Sequence, residues 1–287
     1  MSKRPGVTLL GTGGPRRDPT RRSTAILLRT GEEEVLIDCG RGAIHGLADA
    51  GADFSRLTRL VLTHHHFDHI GDLYDVMLTT WLEGRKERLL VEGPPDTARL
   101  VIALLTQVYD KDHIWRALGE PAHGGWAPVD ARDIGVDAVI EGKGWRATAQ
   151  EVSHGNGLAG LPASFLRRWV CYGWRFEVAG KIFVFSGDTV DCPGLRKLAR
   201  GADVLAMCCY AASSQLTTEP MRELARYTLA CGDTVGKIAA ACDVKTLILT
   251  HHRPGQAGPI LELLAEEVAR DYSGPIVMAR DGLEVPL

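Results

Sequence analysis

No stretch of the 287 residues approaches the ~20 consecutive apolar residues of a membrane-spanning helix. The opening, Met1 to Gly11, has too short an apolar run for a signal peptide, so a cytoplasmic protein without a membrane partner is expected. Cysteine is present seven times, an odd number, and never as C-x-x-C, which favours reduced thiols over a disulfide framework. Charge of one sign is also scarce: a net charge of −3 signals no nucleic-acid partner. Gly11-Thr12-Gly13-Gly14-Pro15 lacks both G-x-G-x-x-G and the Lys-Ser/Thr of a phosphate loop, and Pro15 has no amide to donate. It reads as a turn lining a site. There are no low-complexity linkers, and at 45% hydrophobic residues the chain 1–287 reads as a single domain around one large core.

What the chain does have is Thr63-His64-His65-His66-Phe67-Asp68-His69, directly after the apolar run Leu60-Val61-Leu62. Side chains alternate along a strand, so His64, His66 and Asp68 leave one face while the following turn brings His69 round. Two metals can then share one loop. A histidine tag would sit at a terminus and would lack the interleaved Asp. Imidazole and carboxylate without thiolate suit zinc, manganese or iron in a catalytic site. Around this loop strands and helices alternate. Strands are predicted at Gly6 to Gly11, Ala25 to Leu28 and Glu34 to Ile37, then Trp145 to Glu151, Cys171 to Val178, Ile182 to Phe185, Val204 to Cys208 and Thr246 to Leu249, with a closing strand at Ile276 to Met278. Helical patterns cover Ala43 to Ala50, Leu73 to Leu82, Thr97 to Val108, Met221 to Ala230, Val235 to Ala241 and Ile260 to Arg270. The class is α/β, two mixed sheets flanked by helices.

His64-x-His66-x-Asp68-His69 resembles the signature of the metallo-β-lactamase superfamily. Further motifs follow in the family's order, each after an apolar strand: Asp38 in Val35-Leu-Ile-Asp-Cys-Gly40, His154 after Ala149-Gln-Glu-Val-Ser153, Asp188 in Phe185-Ser-Gly-Asp-Thr189, and a late His after Leu247-Ile-Leu-Thr250. Alone, Asp38 and Asp188 would read as turn residues and His154 as a buried histidine. Either His251 or His252 could be the last ligand, and alternation from Leu249 favours His251. The resemblance implies a four-layer αββα sandwich holding two zinc ions, with manganese or iron as alternatives. His64, His66 and His154 would bind one metal, Asp68, His69 and His251 the other, and Asp188 would bridge. Such a pair lowers the pKa of a shared solvent molecule towards neutrality, giving a hydroxide for hydrolysis. Asp68 would orient it, Asp38 would fix ligand histidines, and His252 would be a neighbouring donor.

Leu9-Gly-Thr-Gly-Gly13, Leu36-Ile-Asp-Cys-Gly40, Cys171-Tyr-Gly-Trp-Arg-Phe176 and Phe185-Ser-Gly-Asp-Thr189 look like the ribonuclease Z and arylsulfatase-like branch. Members that process transfer RNA carry a His-Glu pair in the strand after the bridging Asp. Met207 and Cys208 stand there here, and neither is an efficient oxygen acid at neutral pH. Those nucleases also insert a long basic arm, for which the interval from His154 to Asp188 is too short. Trp81, Trp115, Trp126, Trp169, Tyr172 and Trp174 follow the second and third motifs, and with Met207 and Tyr210 are expected to shape the pocket. Arg116, Arg167 and Arg168 lie near those rings in sequence and suit a substrate carboxylate or sulfate. The expected substrate is a small molecule, a lactone or ester of a compact, aromatic or unsaturated acid. Sulfate-ester or phosphodiester hydrolysis and iron-dependent oxidoreduction on the same fold are the alternatives. Leu73, Val76, Met77 and Trp81 form an apolar stripe at helical spacing, on which a homodimer is expected.

Overall fold

The protein is described from a computed structural model covering residues 4–120 and 125–287. Its first half supplies six strands of a seven-stranded sheet. β1 (Gly6–Gly11), β2 (Ala25–Arg29) and β3 (Glu34–Ile37) run antiparallel in turn. Then come β4 (Leu57–Val61), β5 (Leu89–Gly93) and β6 (Val129–Asp133), each parallel to its predecessor. Helices α1 (Ala43–Asp49), the single turn α2 (Phe67–Ile70), α3 (Leu73–Leu82) and α4 (Thr97–Ala103) lie along the connections. A π-helical turn at Leu104–Val108 then leads into α5 (Asp110–Gly119).

The second sheet repeats the scheme from its other end. β7 (Val139–Gly142), β8 (Trp145–Val152), a short α6 (Ala163–Leu166), β9 (Cys171–Val178) and β10 (Lys181–Phe185) make an antiparallel series. α7 (Pro193–Ala199), β11 (Val204–Cys208), α8 (Glu219–Tyr227), α9 (Gly232–Ala241), β12 (Thr246–Thr250), α10 (Pro259–Ala269) and β13 (Ile276–Met278) extend it with parallel strands. The expected closing strand at 276–278 is not the last. β14 (Leu283–Pro286) returns to pair antiparallel with β1, tying the chain end to the first sheet.

Alternation sorts the side chains into three apolar layers. Val7, Leu9, Ile26, Val61, Trp174, Phe176, Phe183 and Ile248 face one another between the sheets. Leu27, Leu36, Leu60, Leu62, Val76 and Met77 lie under the first sheet's helices, and Leu205, Met207, Leu247, Ile238 and Leu264 under the second's. The αββα sandwich is therefore the observed fold. Leu73, Val76, Met77 and Trp81 are all buried, Trp81 at 0% exposure, so the stripe proposed for a dimer packs on the protein's own sheet. Among the described residues, no helix is long and apolar enough to cross a membrane.

Both sheets deliver their loops to one edge. The link between them is direct: the Tyr172 amide donates to the Thr63 carbonyl (2.8 Å), and the Trp174 indole donates to the Leu62 carbonyl (3.1 Å). Trp174 is fully buried, so its removal would cost about 3–5 kcal/mol and loosen the floor of the histidine loop.

Candidate metal centre

β4 runs out at Val61, and the Leu62 amide still bonds to Glu92 before the chain leaves the sheet. His64 then points inward while His65 turns away, its Nε2 lying 2.8 Å from the Thr97 hydroxyl. The turn α2 places Asp68 and His69 on its buried side. His154 follows β8, Asp188 follows β10 and His251 follows β12. Asp38 and His251 both sit in the left-handed region, at φ 56° and 63°. Side chains are uncommon there, and here the bend re-aims each residue at its strand's end. Glycine is required beside Asp188: Gly187 has φ 58°, and a Cβ on it would lie 2.5 Å from the Tyr172 carbonyl. Gly14 packs so closely on His251 that a Cβ would come 2.7 Å from the ring.

Two clusters of donor atoms result, His64/His66/His154/Asp188 and Asp68/His69/Asp188/His251, each with its atoms within 4.8 Å of one another. Asp188 belongs to both. Its Oδ2 lies 3.7 Å from His154 Nε2 and 3.3 Å from His251 Nε2, and its Oδ1 lies 3.5 Å from His69 Nε2. The outer nitrogens are already engaged. His69 Nδ1 lies 2.7 Å from Asp38, and His154 Nδ1 lies 2.7 Å from the Thr228 carbonyl, which only an N–H can satisfy. The Thr63 hydroxyl donates to Asp38 (2.8 Å) and so accepts from His64 Nδ1 (3.0 Å). These assignments turn the Nε2 lone pairs of His64, His69 and His154 inward.

Inside the cluster there are too few protons to go round. His64 Nε2 and His154 Nε2 both face His66 Nδ1, at 3.0 and 3.2 Å, and one N–H can serve at most one of them. Among the described residues, His69 Nε2 and Asp188 Oδ1 are buried with no hydrogen-bond partner. Orphaned buried groups cost about 1–3 kcal/mol each, and cations among these lone pairs would satisfy them together. The donor set fits zinc, manganese or iron. Electrostatics divide the cluster: burial keeps protons off His64 and His66, while the carboxylates draw positive charge towards His69 and His251. Burial, reinforced by His69, holds His64 well below its ordinary range, and burial together with His154 holds His66 down to about 4. Burial also opposes charge on Asp188, yet His251 and His69 keep it ionised, and burial opposes a proton on His69, yet Asp188 and Asp38 favour one.

Over the clusters lies a cavity of about 570 Å³. His66, Asp68, His154, Asp188 and His251 form its floor, and Phe67, Leu158, Tyr210, Leu224 and Leu229 line it together with Pro15, Arg16, His252, Arg253 and Pro254. His252 is buried with both ring nitrogens unpartnered, and burial together with Arg21 holds it down to about 3. Of the residues expected to shape the pocket, only Tyr210 lines it. Trp81 and Tyr172 are core residues whose polar atoms donate to the Gly125 and Ile134 carbonyls, and Met207 faces the helices. Trp115 is 61% exposed on α5, beside Arg116, which pairs with Asp112 and Glu120. Arg168 pairs with Asp96, and Arg167 is exposed outside the cavity wall. Sequence proximity to the motifs misled there: Asp112 of α5 accepts from Tyr74 of α3, and Asp96 holds Arg168 at the start of α4, so neither segment reaches the cavity. The turn at Gly14–Pro15 does line the cavity. Leu224, Thr228 and Leu229 come from α8 and its exit, a segment with no motif, and only its position behind His154 through Thr228 marks it. Trp169 is a supporting residue. Its indole donates to the His154 carbonyl (2.7 Å) and its ring packs 4.8 Å from that of His66.

The fold and the ligand geometry define a metal-dependent hydrolase of the αββα class. The chain belongs to the metallo-beta-lactamase superfamily: the family model of that name matches residues 18–156, and a ribonuclease Z of Mycolicibacterium paratuberculosis is 31% identical over 96% of this chain and 95% of its own length. Among solved structures, the metallo-beta-lactamase fold protein YhfI of Bacillus subtilis superposes with a TM-score of 0.75 at 18% identity, covering 99% of both chains. The short form of human tRNase Z gives 0.68 at 20% identity, covering 98% of both.

Proposed function

We propose that this protein is a dinuclear metallohydrolase, with zinc as its native metal, that opens a lactone or ester of a small, compact acid. The observation that carries this reading is the character of the cavity above the ligands. Its volume of about 570 Å³ lies within the range of small-molecule sites, and Phe67, Leu158, Leu224 and Leu229 make its wall apolar. Met207 and Cys208, at the end of β11, are both fully buried and offer no proton to a departing oxygen.

A bound metal pair would activate water and stabilise negative charge as it develops. The chain's own residues do the rest. Asp38 accepts from the Thr63 amide (2.7 Å) and hydroxyl, and it faces His69 Nδ1, so one carboxylate holds the tautomer and aim of His69 and, through Thr63, of His64. Asp68 Oδ2 stands 3.1 Å from His251 Nε2, on the cavity floor where it can orient water. The leucines and Phe67 offer the acyl group an apolar contact surface.

Phosphodiester hydrolysis is the second reading, favoured by the relatives named ribonuclease Z. One panel separates the two: enol lactones, aryl esters, aryl sulfates, bis-aryl phosphodiesters and precursor transfer RNA, assayed with wild type and with Asp188→Ala as the blank. Esters or lactones should give the highest kcat/KM. Faster cleavage of precursor transfer RNA would replace this reading with the nuclease one, and stoichiometric iron in the purified protein would reopen redox chemistry.

A further inference from the structure

Two arginines, Arg16 and Arg253, line the same cavity as the candidate metal ligands. Of the other arginines of this region, Arg17 does not line the cavity and Arg41 donates to the Pro15 carbonyl (3.4 Å). Arg22 pairs with Asp49, and Arg21 donates to the Thr12 hydroxyl (2.7 Å) and the Ala279 carbonyl (2.8 Å). Among the described residues, neither Arg16 nor Arg253 has a carboxylate partner. A cation lining a largely apolar cavity without a counter-ion is a ready recognition group for an anion.

Arg253 is held directly, and the loop that carries Arg16 is held at its base. The Gln256 side chain, itself buried, accepts from the Arg253 amide (2.7 Å) and donates to the Tyr210 carbonyl (3.3 Å). That closes a ring of contacts in which the Arg253 guanidinium lies 4.8 Å from the Tyr210 ring centroid. Stacked so, its planar fork is held before any ligand arrives. Arg16 rides on the loop from Thr12 to Arg22, whose base is clamped by Asp281: one oxygen takes the Thr12 amide (3.0 Å) and hydroxyl (2.7 Å), the other the Arg22 amide (2.7 Å). The loop's own carboxylate, Asp18, is occupied by the Thr20 amide and hydroxyl (both 2.7 Å).

We propose that Arg16 and Arg253 form an anion-recognition pair, and that the substrate is an ester or lactone carrying a free carboxylate away from the bond that breaks. The inference rests on the ester-hydrolase reading of the same centre. It replaces Arg116, Arg167 and Arg168, which lie outside the cavity. The planar carboxylate matches a guanidinium bidentately, and the apolar wall receives the body of the acid between the two ends.

Matched phenyl esters test it: the phenyl monoester of glutaric acid, which bears a carboxylate, and its methyl-capped neutral counterpart. Wild type should prefer the anionic ester by about ten- to a hundredfold in kcat/KM, the usual worth of a charged hydrogen bond. In Arg16→Met/Arg253→Met that preference should collapse towards one, mainly through KM, and Arg253→Lys should retain part of it. A preference that persists in the double variant, or is absent in wild type, overturns the pair. Calorimetric binding of benzoate gives a reading independent of turnover. Arginine-dependent binding, weakened about tenfold or more in the double variant at equal metal content, supports the anion site even if neither ester is hydrolysed, and in that case the ester reading falls alone. Equal benzoate affinity in both proteins overturns the anion site whichever bond the enzyme cleaves.

Discussion

Around the ligands, the outward nitrogens of His64, His69 and His154 are tied back, to Thr63, Asp38 and the Thr228 carbonyl, and the strands behind them belong to a fully buried core. Across the cavity, the wall comes from α8, from the loop after β1 and from the turn after β12, where Leu224 is 40% exposed and Arg16 is free of ion partners. One region is over-determined and the other is open to variation. Metal chemistry depends on donor positions to a few tenths of an ångström, so its ligands need fixed supports. Substrate choice depends on shape and charge at the wall, which loops can alter without disturbing the core.

If the ligand region is one interlocked unit, damage there should be large and should spread. Asp188→Ala should give the largest effect, removing a donor from both clusters. A loss of about a thousandfold or more in turnover is expected, with less metal retained. Near-normal rates in that variant would show that Asp188 does not join the sites. Asp38→Asn should be next. It keeps the shape but weakens acceptance from the Thr63 hydroxyl and His69, at a cost of about 10- to 100-fold in metal affinity or activity. Competition with a chromophoric chelator would measure it. On the wall side, rates across aryl and alkyl esters should fall steeply as leaving-group pKa rises, because no acid stands at Met207 or Cys208. A flat plot would mean that some group, Tyr210 being the candidate in the cavity, protonates the leaving oxygen. His65→Ala should have the smallest effect. It removes a contact to Thr97 outside both clusters, costing about 1 kcal/mol of stability and little activity. A loss as severe as that of His64→Ala would mean the register of the loop is reversed.

The same contrast explains what could be read from the chain. Each candidate ligand comes at or just after the end of an apolar strand, so strand alternation, with the motif order of the resemblance, pointed to the seven residues that the fold gathers into the two donor clusters. β5, β6, β7 and β14 were not anticipated. Three of them stand at sheet edges with half-exposed patterns, such as Val129–Asp133, where charged residues interrupt the apolar signal. The wall was legible only at Gly14, Pro15, Tyr210 and His252. Arg16, Leu158 and Leu229 meet there solely because loops from both sheets converge on one edge, and no local spacing encodes that convergence.

The most direct test of the account is a zinc titration of metal-free protein followed by the rate of phenyl ester hydrolysis. Two donor clusters sharing Asp188 predict that the rate rises to a plateau at two equivalents per chain and that Asp188→Ala shows no such plateau. A plateau at one equivalent, or two bound zinc ions with no ester hydrolysis while precursor transfer RNA is cut, would contradict it.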